Sequence, residues 1–276
     1  MNTLTGILNP YNLFCFAGLL VFARWLLQTS LARTALDDSP ARPNIMDPIM
    51  VLVIFLIWTM LPSLLLSALG SYLNALGQWQ KWFAKNAIMA AASIFTIIIV
   101  LFCVSRAFTM GLKGFGLGIK RIYRDFISAV VILFCIWPLV LVMISVSTYA
   151  GKFFVGPDYE ITQHKELKVL TDNSQLESRI MVVVLAVLIA PLIEEILFRG
   201  LLQSLIRSYL NKPWLAIGMS SAAFALIHVD NPGHWFALFV LAVGMGYAYE
   251  KSGSLWQSIF IHVLFNAAAV VSSLCC

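Results

Sequence analysis

The chain has 276 residues, of which 61% are hydrophobic and 11% charged, and its mean hydropathy is +0.89. Soluble domains are roughly half apolar and about a quarter charged. This chain has too little polar surface to coat a water-soluble particle, which makes it an integral membrane protein. Its net charge of +5 is modest, and where the charges sit says more than their sum.

A helix needs about 20 apolar residues to cross the bilayer core. Windows of that kind lie near 11–31, 49–70, 86–105, 126–149, 180–205, 214–229, 235–250 and 255–274. Strand-like alternation is absent, so a barrel is not expected. The expected fold class is all-α: a polytopic membrane helical bundle with about eight transmembrane helices, since backbone polar groups in lipid must be satisfied within each segment. The N-terminus lacks the basic start and small-residue cleavage site of a removed signal, so the first window is expected to stay. Arg24, near the end of that window, can snorkel to the interface. The five cysteines (Cys15, Cys103, Cys135, Cys275 and Cys276) show no CxxC spacing, and four of them read as small apolar residues in or at the end of spans. Ser273 stands fourth from the end, so the terminal pair is not a CaaX box.

Numbered between windows, the odd loops carry ten Lys and Arg residues against six in the even loops, which places the odd loops in the cytoplasm and both termini outside. The run KRIYRDF (120–126) mixes basic and aromatic residues beside a span, a pattern expected to fix topology and touch anionic headgroups, with no nucleic-acid partner. The loop at 106–125 contains GLKGFGLGIK, whose glycines lack phosphate-loop spacing, so it reads as a flexible or interfacial connector. The loop at 151–179 is mixed in charge, with a short amphipathic helix expected at 165–177 and an exposed His164 beside it. No repeat or separate soluble domain is visible. The expected organisation is 1–125 for the N-terminal helices and 126–276 for the functional core, in one continuous membrane domain, multi-pass and in the cell membrane.

The informative residues are the ionisable ones inside windows, which mark functional sites by default because they are costly in hydrocarbon. PLIEEILFRG (191–200) places Glu194, Glu195 and Arg199 in the fifth window; His228 follows in the sixth, then His262 and Asn266 in the last. Glu195 and Arg199 are spaced i,i+4 with the acid first, so they meet on one face. Glu194 points about 100° away and stands outside that pair. Pro191 removes a helix hydrogen bond one turn earlier and can bend the helix near the carboxylates. His262 and Asn266 also share a face. One carboxylate, an imidazole beside it and a His/Asn pair opposite suit activation of water with an oxyanion hole, meaning hydrolysis of an acyl compound.

EEILFR (194–199) resembles the EExxxR motif of the CPBP family, which contains the CAAX-protease and bacteriocin-processing intramembrane proteases. FALIH (224–228) resembles its FxxxH motif and HVLFN (262–266) its HxxxN/D motif. The resemblance covers roughly 180–270. It implies a glutamate-dependent peptidase, with Glu194 the general base, His228 holding the water, His262 and Asn266 stabilising the oxyanion, and Glu195 with Arg199 a supporting ion pair. From the residues alone, either His228 or His262 is the imidazole beside the water. The implied substrate is a peptide or protein reached from the membrane, of membrane-associated or prenylated type; the oligomeric state is unknown.

No cofactor is favoured. Zinc is the alternative, held by Glu194, His228 and His262; family members are often labelled metalloproteases, but no HExxH is present. The competing class is a non-proteolytic membrane protein on the same fold, either a transporter or an immunity or scaffold factor. A separate His/Asn pair and the lack of an inverted repeat count against a carrier.

Overall fold

The structure is a computed structural model that describes residues 9–40, 42–161, 176–228 and 232–275. Among the described residues the chain is helical, apart from one isolated bridge between Asn44 and Phe108. The helices are α1 (Pro10–Gln28), α2 (Pro48–Ala68), α3 (Gly70–Ala75), α4 (Gln78–Ala107), α5 (Ile122–Phe154), α6 (Leu176–Leu210), α7 (Pro213–Leu226), α8 (Trp235–Ser252) and α9 (Leu255–Cys275). The amphipathic helix expected at 165–177 and His164 fall on residues 162–175, outside the described residues, and Leu176 onward belongs to α6.

Local chemistry sets several boundaries. The Asn9 side chain accepts from the Tyr11 N–H ahead of α1, and Asp47 accepts from the Ile49 N–H ahead of α2. Each is followed by proline at the first helical position, where a missing N–H costs nothing. α8 stops at Gly253, which adopts φ +69° and has Pro40 Cγ 2.8 Å from where a Cβ would stand, so only glycine fits.

Among the described residues six helices are long and apolar enough to cross a membrane: α1, α2, α4, α5, α6 and α9. The expected windows at 214–229 and 235–250 correspond to α7 and α8, of 14 and 18 residues. At 1.5 Å per residue α7 rises about 21 Å, short of the roughly 30 Å hydrocarbon core. α8 carries Glu250, 1% exposed, and is lined with buried small residues. Six of the eight windows thus correspond to these long apolar helices, and the other two to α7 and α8.

The chain divides into two compact units, each discontinuous in sequence. The first comprises residues up to 41, 119–162 and 212–261. In it Gly18 of α1 brings its backbone against the Phe134 carbonyl of α5, and Gly244 of α8 lies against the Ile136 side chain. Trp25 donates to the Tyr247 hydroxyl (3.0 Å), and Trp214 stacks on the same ring. Asp125, in the first turn of α5, is buried and accepts from Ser254 Oγ (2.7 Å) and Gln257 Nε2 (3.1 Å), tying α5 to the start of α9.

The second unit comprises 42–118, 163–211 and 262–276. α6 packs along α4, and Val182, Val187 and Val270 form a buried cluster with Trp82, Val183, Val263 and Ala267. The loop after α4 is not the flexible connector expected from its glycines. It makes a 3₁₀ turn at Gly111–Lys113 and buries Phe115 completely. Gly111 and Gly116 adopt φ +55° and +99°, conformations that glycine alone takes without strain. Backbone bonds from Ile45 N to Ala107 O and from Thr109 N to Pro43 O hold the loop's entry. Lys113 remains exposed at the turn. If the excess of basic residues orients the chain, a Lys113→Cys variant with the other cysteines replaced should react with membrane-impermeant maleimide only from the cytoplasmic side. Labelling from the outside would invert the topology.

Candidate active site

The site is built on α6, which is not a uniform α-helix. Residues Val184–Ile189 and Ile196–Gln203 are π-helical, and the six α-helical residues Ala190–Glu195 lie between them. The Ala190 N–H bonds to the Leu185 carbonyl, five residues back, as a π turn requires. Pro191 follows at once. The bend expected from this proline is thus realised as a π turn, which absorbs the missing N–H without breaking the rod.

Between the π turns stand Glu194 and Glu195. Arg199 Nη1 donates to Glu195 Oε1 at 2.8 Å, and both side chains are fully buried. The same oxygen lies 2.9 Å from His262 Nδ1. A carboxylate oxygen only accepts, so Nδ1 carries the hydrogen and donates. That bond turns the other ring nitrogen, Nε2, toward Glu194, 3.8 Å from its Oε2. His262 and Glu194 side chains retain 6% and 15% exposure, against zero for Glu195 and Arg199. The ion pair is therefore sealed behind the histidine, and Glu194 is the most accessible member. Asn266, one turn beyond His262 on α9, donates from Nδ2 to the Ala186 carbonyl at 2.8 Å.

Glu194, Glu195, Arg199 and His262 thus form one cluster in the second unit, with Asn266 beside it on α9. His228 belongs to the first unit. It follows the last turn of α7, where Nδ1 donates to the Phe224 carbonyl (2.8 Å) and the ring lies 4.9 Å from that of Phe224. A carbonyl cannot donate, so Nε2 carries the lone pair in the neutral ring. Trp235 Nε1 donates to the His228 carbonyl at 3.0 Å.

Three consecutive residues fix the turn that carries Arg199. Phe198 packs edge-on against Phe55 and Trp58 of α2, with centroids 5.3 and 6.3 Å away. Arg199 turns to Glu195. Gly200 meets the Phe115 ring so closely that any Cβ would overlap it: Cε2 would be 2.8 Å away and Cζ nearer still. Sequence reading did not single out Phe115 or Gly200. The only signal was a glycine directly after the arginine, with one aromatic inside a glycine-rich loop. It also passed over Asp125 and Glu250, 4% and 1% exposed. Both stand at the ends of apolar windows, where a charged residue reads as a loop.

Fold and site together define an integral, multi-pass, all-α membrane protein with a buried carboxylate–imidazole–guanidinium cluster. Residues 176–268 match the family described as type II CAAX prenyl endopeptidase Rce1-like. That segment is similar to this family, and it contains every residue of the cluster. No curated protein and no solved structure matches the chain.

Proposed function

We propose that the protein is an intramembrane endopeptidase that hydrolyses a peptide bond near the membrane, with Glu194 as general base and His262 as the group that stabilises the oxyanion. The observation that carries this reading is the bridging position of His262. Nδ1 is held by the Glu195–Arg199 pair, and Nε2 faces Glu194.

Charge balance assigns the working protonation state. Counting these four side chains alone, Glu195 and Arg199 cancel. A buried site then favours one proton shared between Glu194 and His262, since any other count leaves uncompensated charge. With the proton on Nε2, Glu194 is a carboxylate and His262 an imidazolium. Water attacks the scissile carbonyl while Glu194 takes its proton, and the tetrahedral oxyanion accepts a hydrogen bond from His262 Nε2–H. As the C–N bond breaks, Glu194 returns that proton to the leaving nitrogen, so base and acid are one residue. One of the two Asn266 amide hydrogens is taken by Ala186, and the other remains for an oxyanion. The family resemblance gives His228 the task of holding the attacking water.

No step in this mechanism calls on a metal. Among the described residues no three His, Cys, Asp or Glu side chains gather as metal ligands do. Zinc held by Glu194, His228 and His262 is the alternative, and the elemental analysis below decides it. The substrate class follows the family description: a peptide carrying, or lying beside, a lipid-like group. The test compares membrane proteomes of cells producing the wild type and Glu194→Gln, searching for peptides whose termini differ. Synthetic versions of those peptides, with and without a prenylated cysteine, are then given to the purified protein. Cleavage should survive chelation, and elemental analysis should find no stoichiometric zinc. One zinc per chain, lost together with activity and restored with it, would require a metal mechanism; identical peptide termini in the two strains would remove the peptidase reading.

A further inference from the structure

We infer that Asn266 is a positioning residue: its carboxamide serves a carbonyl that lacks a backbone donor where the first π turn of α6 meets Pro191, and so holds the turn that presents Glu194 and Glu195. In a π turn each carbonyl accepts from the N–H five residues on. Leu185 O is served in this way by Ala190. With the π register carried one residue further, the next carbonyl, Ala186 O, would take the N–H of residue 191, but that residue is proline and has none. The Ala190 N–H, which an α turn would have offered to Ala186, is already used. Asn266 Nδ2 stands 2.8 Å from this carbonyl. In a membrane interior no water replaces a missing donor, so the side chain from α9 supplies it.

The consequence reaches the cluster because α9 touches α6 at two points. Asn266 holds Ala186, and His262, one turn earlier, holds Glu195. These two rungs run in opposite directions along the helices and pin the segment that carries both glutamates. If the Ala186 carbonyl is released, the π turn can slip to α register. One residue of slip rotates the rest of the helix by about 100°, enough to turn Glu194 away from Nε2. This inference rests on the peptidase reading above, but it gives Asn266 a task distinct from that of an oxyanion donor.

The two tasks separate in an epistasis experiment with Asn266→Leu, Pro191→Ala and the double variant. Pro191→Ala restores an N–H at the position Ala186 lacks, so it should make the Asn266 amide dispensable for holding the turn. Asn266→Leu should speed hydrogen exchange of the amides in 184–190 by about tenfold, as loss of one buried hydrogen bond does. It should also lower kcat by about 10²-fold, the scale of a small misplacement of reacting groups, with KM little changed. The double variant should exchange at the wild-type rate and recover most of the lost kcat. If Asn266→Leu does not fold, Asn266→Asp replaces it. A protonated Asp donates to the carbonyl and a carboxylate cannot, so exchange relative to wild type should be normal in acid and fast above the titration. Unchanged exchange in Asn266→Leu, or a double variant as impaired as the single one, overturns the inference in favour of an oxyanion donor alone. If the wild type cleaves no peptide, the peptidase reading fails, and the exchange results still decide the role of Asn266 in the π turn.

Discussion

Glu194→Gln should lower the rate of peptide hydrolysis by about 10²–10⁴-fold, the range that a positioned general base contributes, while yield, helix content and thermal stability stay at wild-type values. Gln keeps the size of the side chain and an oxygen facing His262 Nε2 but cannot take a proton from water. The side chain retains 15% exposure, and His262 can release the shared proton when the carboxylate is gone, so the substitution strands no buried charge. In the neutral cluster it also removes the partner that shares a proton with His262. The variant therefore tests the Glu194–His262 pair as a unit, and steady-state kinetics beside a thermal melt is the measurement. Activity within about tenfold of wild type, below the range of a positioned base, would move that role to another group.

Glu195 and Arg199 should fail in a different way. Both are fully buried, and their bond is 2.8 Å. Removing one partner of such a pair leaves a charge without compensation, at a cost of about 3–5 kcal/mol. Arg199→Ala removes the cation that compensates the Glu195 carboxylate, while the His262 Nδ1 hydrogen bond to that oxygen stays. Glu195→Gln leaves the guanidinium beside a neutral amide. Each variant should lower folded yield and melting temperature as well as activity, because the carboxylate that orients His262 is lost in one and deprived of its guanidinium partner in the other. Neutralising both residues together should recover part of the lost stability, since a pair removed as a unit leaves no buried charge. Detergent-solubilised melts of the two single variants and the double variant measure this. Full stability in Arg199→Ala would show that another group compensates Glu195.

Several features of this molecule are local enough to be read from the chain. The membrane class follows from the scarcity of charge, and the long spans from runs of apolar residues at bilayer length. The meeting of Glu195 with Arg199 is one helical turn of geometry and needs no information from elsewhere. Other features depend on partners distant in sequence. The two imidazoles offered by the motifs were equivalent on paper. The contact that distinguishes His262 joins residues 67 apart, and its nitrogen roles follow from Glu195, an acceptor on another helix.

The backbone register of α6 was also out of reach. Pro191 signals a disturbance, but whether the helix kinks, breaks or widens into a π turn depends on a donor for the orphaned carbonyl, and that donor comes from Asn266, 80 residues away. The glycine-rich loop at 111–118 shows the opposite limit. Glycines at positive φ look the same in sequence whether the loop is loose or built. Only the absence of a Cβ at Gly200 and the ring of Phe115 packed against it decide that this loop is built. Asp125 and Glu250 read as loop charges because hydropathy averages over a window, whereas burial depends on which helices close over a given side chain. The properties that the sequence by itself determined are therefore those that act within one turn or one bilayer thickness of the chain. The pairing of side chains across helices, and the π register those pairings hold, were decided by tertiary structure, because a buried donor or acceptor takes whatever partner the fold brings to it.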